Sequence, residues 1–452
     1  MKEHAAFIRK FISGTLFVLF FGAMMLHAQR RPVEPVTPMS NTNTANASTH
    51  MNSNPSAQTV YVPQLKGATV HQLKDGHYIQ KRADGGIREL HDAKHGMDIH
   101  HGLAGGMRVT VERKDHTRLV AEQGRPGYVE RPYTYLGRDF ARRNFYYQGK
   151  TYSSYYRGYR YNGIQMKVYA PYRYYSTAFY GWLFNVWGFV FVYDWDWADE
   201  AWVGFDRGYF IPSPNYSSAS LWLTDYLLSS ELAVAYEMRR VNGTLPTVAA
   251  AATTAPAITA EVKQKIANEI KAQIQLENYE SKTIAQDKDL DAGPSSIAHA
   301  YGDGRTHVFV VGYPLDVVDT SGTECALTEG DVVQLSSPPN FNTASALVAV
   351  LASNGGKDCA KNSTVIMGLV DIQELQNRMR QTIDLGIAEL REKQGKKGLP
   401  VIPAEALGTE VKARYTEFAP PAAPNDQADI TQQLLQEASK AEVEMLASGS
   451  GK

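Results

Sequence analysis

From residue 58 onward, short runs with apolar residues at alternate positions, such as Val109 and Val111 followed by Leu119 and Val120, are broken by turn-forming pairs. These breaks are Asp75-Gly76, Asp84-Gly85-Gly86, Gly105-Gly106, Gly124 to Gly127, Gln148-Gly149 and Asn162-Gly163. A period of two with punctuation of this kind predicts an array of β-hairpins. Residues 145–152 (FYYQGKTY) and 159–166 (YRYNGIQM) echo one another as a weak internal repeat. Residues 178–193 (AFYGWLFNVWGFVFVY) are nearly all apolar, too short for a membrane span and interrupted by Asn185. They are expected to form a buried strand pair, with peripheral membrane contact as the alternative.

The period then lengthens. Residues 217–240 place Leu221, Leu228, Leu232, Ala235 and Met238 at helical spacing, and Asn242-Gly243 supplies a stop. After an Ala/Thr/Pro-rich linker, residues 260–279 carry Val262, Ile266, Ile270 and Ile274 on one side of a second helix. Between 296 and 400, strand-like runs occur at 307–311, 315–318, 331–335, 344–351 and 364–370. Asp371 with Glu374 three residues later reads as a capping box. The helix it predicts turns Leu375, Met379, Ile383, Ile387 and Leu390 inward and ends near Gly395. A last amphipathic helix is expected over 428–446.

The expected fold class is α+β. An aromatic-rich β-hairpin unit with helices (60–243) is followed by a linker and amphipathic helix (244–295), then by a small disulfide-stapled β-barrel-like domain with a C-terminal helix (296–400). A flexible tail with an amphipathic helix (401–452) closes the chain.

The first 28 residues sharpen the compartment. Lys2, Arg9 and Lys10 precede an uncharged run over 11–26, and Ala28 stands before Gln29. This is the pattern of a signal peptide, cleaved near Ala28, with a retained anchor as the alternative. Residues 29–59 are rich in Pro, Asn, Thr, Ser and Ala, expected as a disordered tether. An exported chain, periplasmic or extracellular, meets an oxidising space, so its two cysteines, Cys325 and Cys359, are expected to pair. A redox or metal role would call for C-x-x-C spacing or a neighbouring His, and neither is present.

The 452 residues carry a formal charge of -1, but that neutrality is a cancellation. Residues 107–173 hold 14 Lys and Arg against 5 Asp and Glu, whereas 256–452 hold 18 against 27, giving +9 and -9. Residues 128–226 contain 33 of the 48 Phe, Trp and Tyr, including all six Trp. The aromatic hairpins, the phrase Ser220-Leu221-Trp222-Leu223-Thr224-Asp225-Tyr226 and the cysteine unit together resemble a family of exported, Tyr/Trp-rich bacterial proteins with no assigned function. That resemblance implies an envelope or secreted location and no chemistry. Leu327 to Val333 (LTEGDVV) resembles the turn and strand of PDZ and other small β-barrel modules, with no ligand-site residues carried over.

Three constellations carry candidate function. Arg138, Arg142, Arg143, Tyr146, Arg157, Tyr159 and Arg160 combine guanidinium groups and phenols on strands, which suits an anionic envelope polymer or a glycan. The alternative reading of the same residues is internal cohesion, the arginines pairing with acids of the C-terminal half. Asp194, Trp195, Asp196 and Trp197 put carboxylates beside indoles, as a glycan-active enzyme or lectin does. His91, His95, His100 and His101 fall within eleven residues and form a candidate Zn or Cu site. The chain holds no G-x-S-x-G, H-E-x-x-H, P-loop or dinucleotide-binding glycine motif, and no cofactor is expected. The expected role is structural or binding, at the cell envelope, with self-association among the candidate interactions and nucleic acid not expected.

Overall fold

A computed structural model describes residues 65–147, 150–245, 257–285, 293–340, 342–353, 358–423 and 430–449. The expected signal peptide and tether lie outside the described residues.

The alternating stretch forms one ten-stranded antiparallel sheet in which every strand pairs with its sequence neighbour. Its strands are β1 (Thr69–Gln72), β2 (Tyr78–Lys81), β3 (Ile87–Asp92), β4 (Met97–His101), β5 (Met107–Glu112), β6 (Arg118–Glu122), β7 (Arg125–Tyr135), β8 (Arg138–Tyr147), β9 (Lys150–Tyr161) and β10 (Ile164–Ala170). The register is set by two-residue turns with both residues left-handed. Leu136 and Gly137 (φ 50° and 74°) join β7 to β8, and Asn162 and Gly163 (φ 48° and 79°) join β9 to β10. Positive φ at both positions matches the twist of the flanking strands.

Beyond the meander lie β11 (Arg173–Tyr174), α1 (Thr177–Phe184), β12 (Val186–Phe191), α2 (Ala201–Phe205), β13 (Tyr216–Ser218), α3 (Ala219–Val241) and α4 (Ala260–Ala285). The expected strand pair at 178–193 is therefore a helix followed by a strand. Ser176 accepts from the Phe179 amide at 3.1 Å, which caps α1 and commits the first half of that run to helix. The strand half pairs instead with β13.

After α5 (Ile297–Ala300), six strands form a second antiparallel sheet: β14 (Val308–Val310), β15 (Leu315–Asp319), β16 (Glu324–Leu327), β17 (Val332–Leu335), β18 (Ser345–Ala352) and β19 (Thr364–Gly368). Their order is β14-β17-β18-β19-β15-β16, and no ladder joins β14 to β16 among the described residues. The barrel-like closure is thus not seen there. Cys325 and Cys359 are disulfide-bonded with 4.9 Å between Cα atoms, tying β16 to the segment before β19. The phrase resembling PDZ modules is no open loop. Gly330 (φ 90°) lies against Leu232 of α3, and Tyr209 donates to its carbonyl at 3.0 Å.

Helix α6 (Leu369–Glu392) organises the molecule. It starts two residues before Asp371, with Gly368 as an N-cap that makes no side-chain bond, so the expected capping box is not used. Leu375, Met379, Ile383, Ile387 and Leu390 are buried as expected, but so are Gln373, Gln376, Asn377, Arg380 and Thr382. The polar side serves the open edge of the ten-stranded sheet. The Tyr169 amide donates to Asn377 Oδ1 and Asn377 Nδ2 donates to the Lys167 carbonyl, each at 2.7 Å. Arg380 adds a bond to the Tyr169 carbonyl at 3.1 Å. A helix thereby takes the place of an eleventh strand on β10. Gly386 lets α6 approach α3 closely, because a Cβ there would stand 2.6 Å from Leu223 and 2.8 Å from Tyr226.

The 401–452 segment is packed where it is described. β20 (Val411–Lys412) pairs with β11, Tyr415 of α7 (Tyr415–Phe418) is buried, and α8 (Ile430–Gly449) lays Leu434, Ala438, Ala441 and Met445 on the Leu90, Ile99, Val109 and Val129 face of the sheet. A single continuous core runs from Met166 through the tryptophans, α3, α4, α6 and the second sheet to Ala406, crossing the expected domain boundaries.

Candidate functional site

The Arg/Tyr constellation divides by burial. Arg143 is enclosed, donating to Glu130 Oε2 at 2.6 Å and to both oxygens of Glu374 at 2.8 and 2.6 Å. Its guanidinium lies 3.9 Å from the Tyr156 ring centroid and 5.0 Å from that of Tyr128. Burial raises the Glu130 pKa, but Arg143 and Lys167 outweigh it and hold this carboxyl well below the usual range. Arg157 is buried on Glu280 at 2.7 Å. Arg142 bonds Ser153 Oγ and the Pro420 carbonyl, and Tyr159 donates to Gln373 at 2.5 Å. Tyr146 is half-buried, while Arg138 and Arg160 are exposed. The seven residues are therefore not presented together on one open face.

The Trp/Asp constellation is split in the same way. Trp195 and Trp197 are only 8% and 5% exposed, stacked 5.1 Å apart, with Trp195 also stacked 5.2 Å from Trp222. The Trp195 indole donates to Tyr216 at 2.9 Å, Tyr216 donates to Asp225 at 2.8 Å, and Lys263 pairs with Asp225 at 2.7 Å. These rings are core, not a platform open to sugar. Asp194 is exposed, and Asp196 is clamped by Lys397 and by Lys393 at 3.1 Å.

The four histidines lie on β3, β4 and the turn between them, and each turns to a different carboxylate. His91 meets Asp98 at 2.6 Å, His95 meets Asp92 at 2.5 Å, His100 meets Asp316 at 3.0 Å and His101 meets Glu442 at 3.2 Å. Among the described residues, no group of three or more His, Cys, Asp or Glu is arranged to hold a metal ion.

The densest ionisable cluster contains only one of the residues singled out by sequence, Arg157. Glu280 of α4 accepts from Arg157, from Arg380 at 3.2 Å, from Tyr174 at 3.0 Å and from Ser295. Burial pushes its carboxyl up, but Arg380 and Arg157 prevail and bring it down to about 2. One turn earlier, Glu277 faces the Asp384 carboxyl of α6, and no other donor reaches either of its oxygens. Two carboxyls bond only if one keeps its proton, and burial raises both pKa values. With one shared proton, three carboxyls and two guanidinium groups sum to zero charge. Tyr169 donates to Asp384 Oδ2 at 2.8 Å. A cleft of about 20 Å³, room for one water, reaches Asp384 between Tyr172, Tyr175 and Gln381. The arrangement can hold a proton and exchange it through that opening. Sequence carries no local sign of it, because its members come from strands, α4 and α6 roughly a hundred residues apart.

No family model, curated protein or solved structure matches the chain. Among the described residues, no helix is long and apolar enough to cross a membrane.

Proposed function

We propose that the protein is an exported cell-envelope protein with a structural or adhesive role, working through its outer surface rather than through a reaction centre. The observation that carries this reading is the internal use of charge. Arg143 and Arg157, central to the basic stretch, are held by Glu374 and Glu280 of the acidic half. Contact with an anionic polymer or glycan then falls to Arg138 and Arg160, bordered by Arg142, Tyr146 and Tyr159. The Cys325–Cys359 disulfide is compatible with export.

The test is binding to an array of acidic polymers and neutral glycans at two salt concentrations. Polymer binding that weakens with salt, falls several-fold in the Arg138→Gln/Arg160→Gln variant and survives Asp196→Asn supports the proposal. Salt-insensitive binding to a neutral glycan that is lost in Asp194→Asn transfers the assignment to a lectin or glycan-active enzyme. Binding to neither class removes the ligand from the proposal and leaves a scaffold.

A further inference from the structure

Lys263 of α4 is the one buried lysine among the described residues, and Asp225 of α3, its partner at 2.7 Å, has no exposed surface. The surroundings are aromatic. The Phe210 ring centroid lies 4.8 Å from Lys263 Nζ, Tyr216 donates to the Asp225 carboxylate, and Trp195, stacked on Trp222, donates to Tyr216. Other lysines that meet carboxylates are placed differently. Lys167 shares Glu130 with Arg143, and Lys393 and Lys397 hold the exposed Asp196.

An ion pair taken out of water is costly, because each charge gives up its hydration and gains only the other charge in return. Burial lowers the Lys263 pKa and brings the neutral amine within reach. One proton passed across the 2.7 Å contact leaves an amine against a carboxylic acid, the two reactants of an amide.

The hydrogen bonds around the pair are already those of that amide. Asp225 Oδ2 accepts from the Tyr216 hydroxyl at 2.8 Å and from the Ser213 amide at 2.5 Å, as a carbonyl oxygen with two lone pairs does. Because Tyr216 itself accepts from the Trp195 indole at 2.9 Å, its own hydrogen is left for Asp225. Asp225 Oδ1 is met by Lys263 alone. Nζ also donates to the Ile211 carbonyl at 2.5 Å, an acceptor for the amide hydrogen, with Ser213 Oγ at 3.4 Å. One carboxylate oxygen is therefore held and the other is placed to depart.

We propose that Lys263 and Asp225 condense to an intramolecular isopeptide bond that ties α3 to α4. Nζ attacks Cγ, and the charge that gathers on Oδ2 is met by Tyr216 and the Ser213 amide, which are aimed there beforehand. The Nζ–Cγ bond forms, the Cγ–Oδ1 bond breaks, and Oδ1 leaves as water with two of the three ammonium hydrogens. The third stays on the amide nitrogen. No oxidant, reductant or cofactor enters the balance. Fixed contact raises the effective concentration of the amine by several orders of magnitude, and a water-poor site favours the uncharged product.

The full exported chain, purified and unfolded, should have a mass one water below that of its sequence with the disulfide formed. A tryptic digest of the reduced protein should contain a branched peptide that joins residues 208–239 to residues 241–265 and is uncut at Lys263. Lys263→Arg keeps the charge and cannot form the amide, so it should show the full mass and separate peptides. Tyr216→Phe removes one donor from Oδ2 and should slow the loss of water in newly synthesised chains at least roughly tenfold. The proposal is overturned by a folded wild type that keeps its full mass on prolonged incubation, or by wild-type peptides that separate and are cut at Lys263. A loss of water that Lys263→Arg retains also overturns it, because the dehydration then lies elsewhere. The wild-type peptide map decides even where a variant fails to fold, and none of these readouts depends on polymer or glycan binding.

Discussion

Glu280 is the residue on which two guanidinium groups depend. Replacing it with Gln keeps the shape but removes the carboxylate that Arg157 and Arg380 share, leaving the buried cluster one negative charge short, which costs about 3 to 5 kcal/mol. Urea unfolding should show that loss as a lower midpoint with an unchanged slope. Two further sites fix the sign of the pH response. His307 lies between Glu269 and Asp303, and these acids outweigh its burial and raise its pKa to about 9. Its contribution is complete below about pH 6.5 and is lost as pH rises through about 9. His307→Gln should remove that alkaline decline. The Glu277–Asp384 pair is also raised, so its stability is present below the ordinary carboxyl range and falls as pH increases above about 4. Glu277→Gln should reduce the fall of the unfolding midpoint as pH rises above about 4. Alternation of Tyr and Arg was visible in the sequence, but what it faces was not. A guanidinium next to a phenol has the same spelling whether its carboxylate lies in an outside polymer or in Glu374.

At the scale of elements, the apolar stripes of α3, α4, α6 and α8 were legible because each needs only its own helix period. Their polar sides were not, since Glu277, Glu280, Asn377 and Arg380 are buried by partners far along the chain. The 178–193 run was misassigned because so many of its residues are apolar that neither period stands out, leaving the Ser176 cap as the deciding signal. Asn377 offers the sharpest test of an element's role. Asn377→Ala leaves the Tyr169 amide and the Lys167 carbonyl without partners at a buried edge, at about 1 to 3 kcal/mol each. Hydrogen exchange should show the Tyr169 amide losing protection well before amides in β5 and β6.

For the whole molecule, the +9 and -9 segments bind one another inside a single body. The Arg125 pair with Glu329 repeats what Arg143 and Arg157 do around α4 and α6, and Arg82, which precedes the basic segment, adds pairs with Asp316 and Glu324 across the two sheets. The disulfide closes a loop spanning 34 positions, and reducing it should cost about 3 to 4 kcal/mol in the chain-entropy model. Thermal melts with and without reductant measure this, and a Cys325→Ala/Cys359→Ala variant should reproduce the reduced value. Its placement was legible from two cysteines in one unit. The shared core was not, because apolar periodicity says that a face is buried and not against what.

The helix lying along β10 gives the meander a direction of growth. Each hairpin is added to the one before it, and at the β10 end α6 fixes the count. At the other end, β1 contributes no buried residue. Among the described residues, β1 is therefore the strand whose loss costs the core least, much as a zip fastened to its stop keeps its hold when the last teeth part.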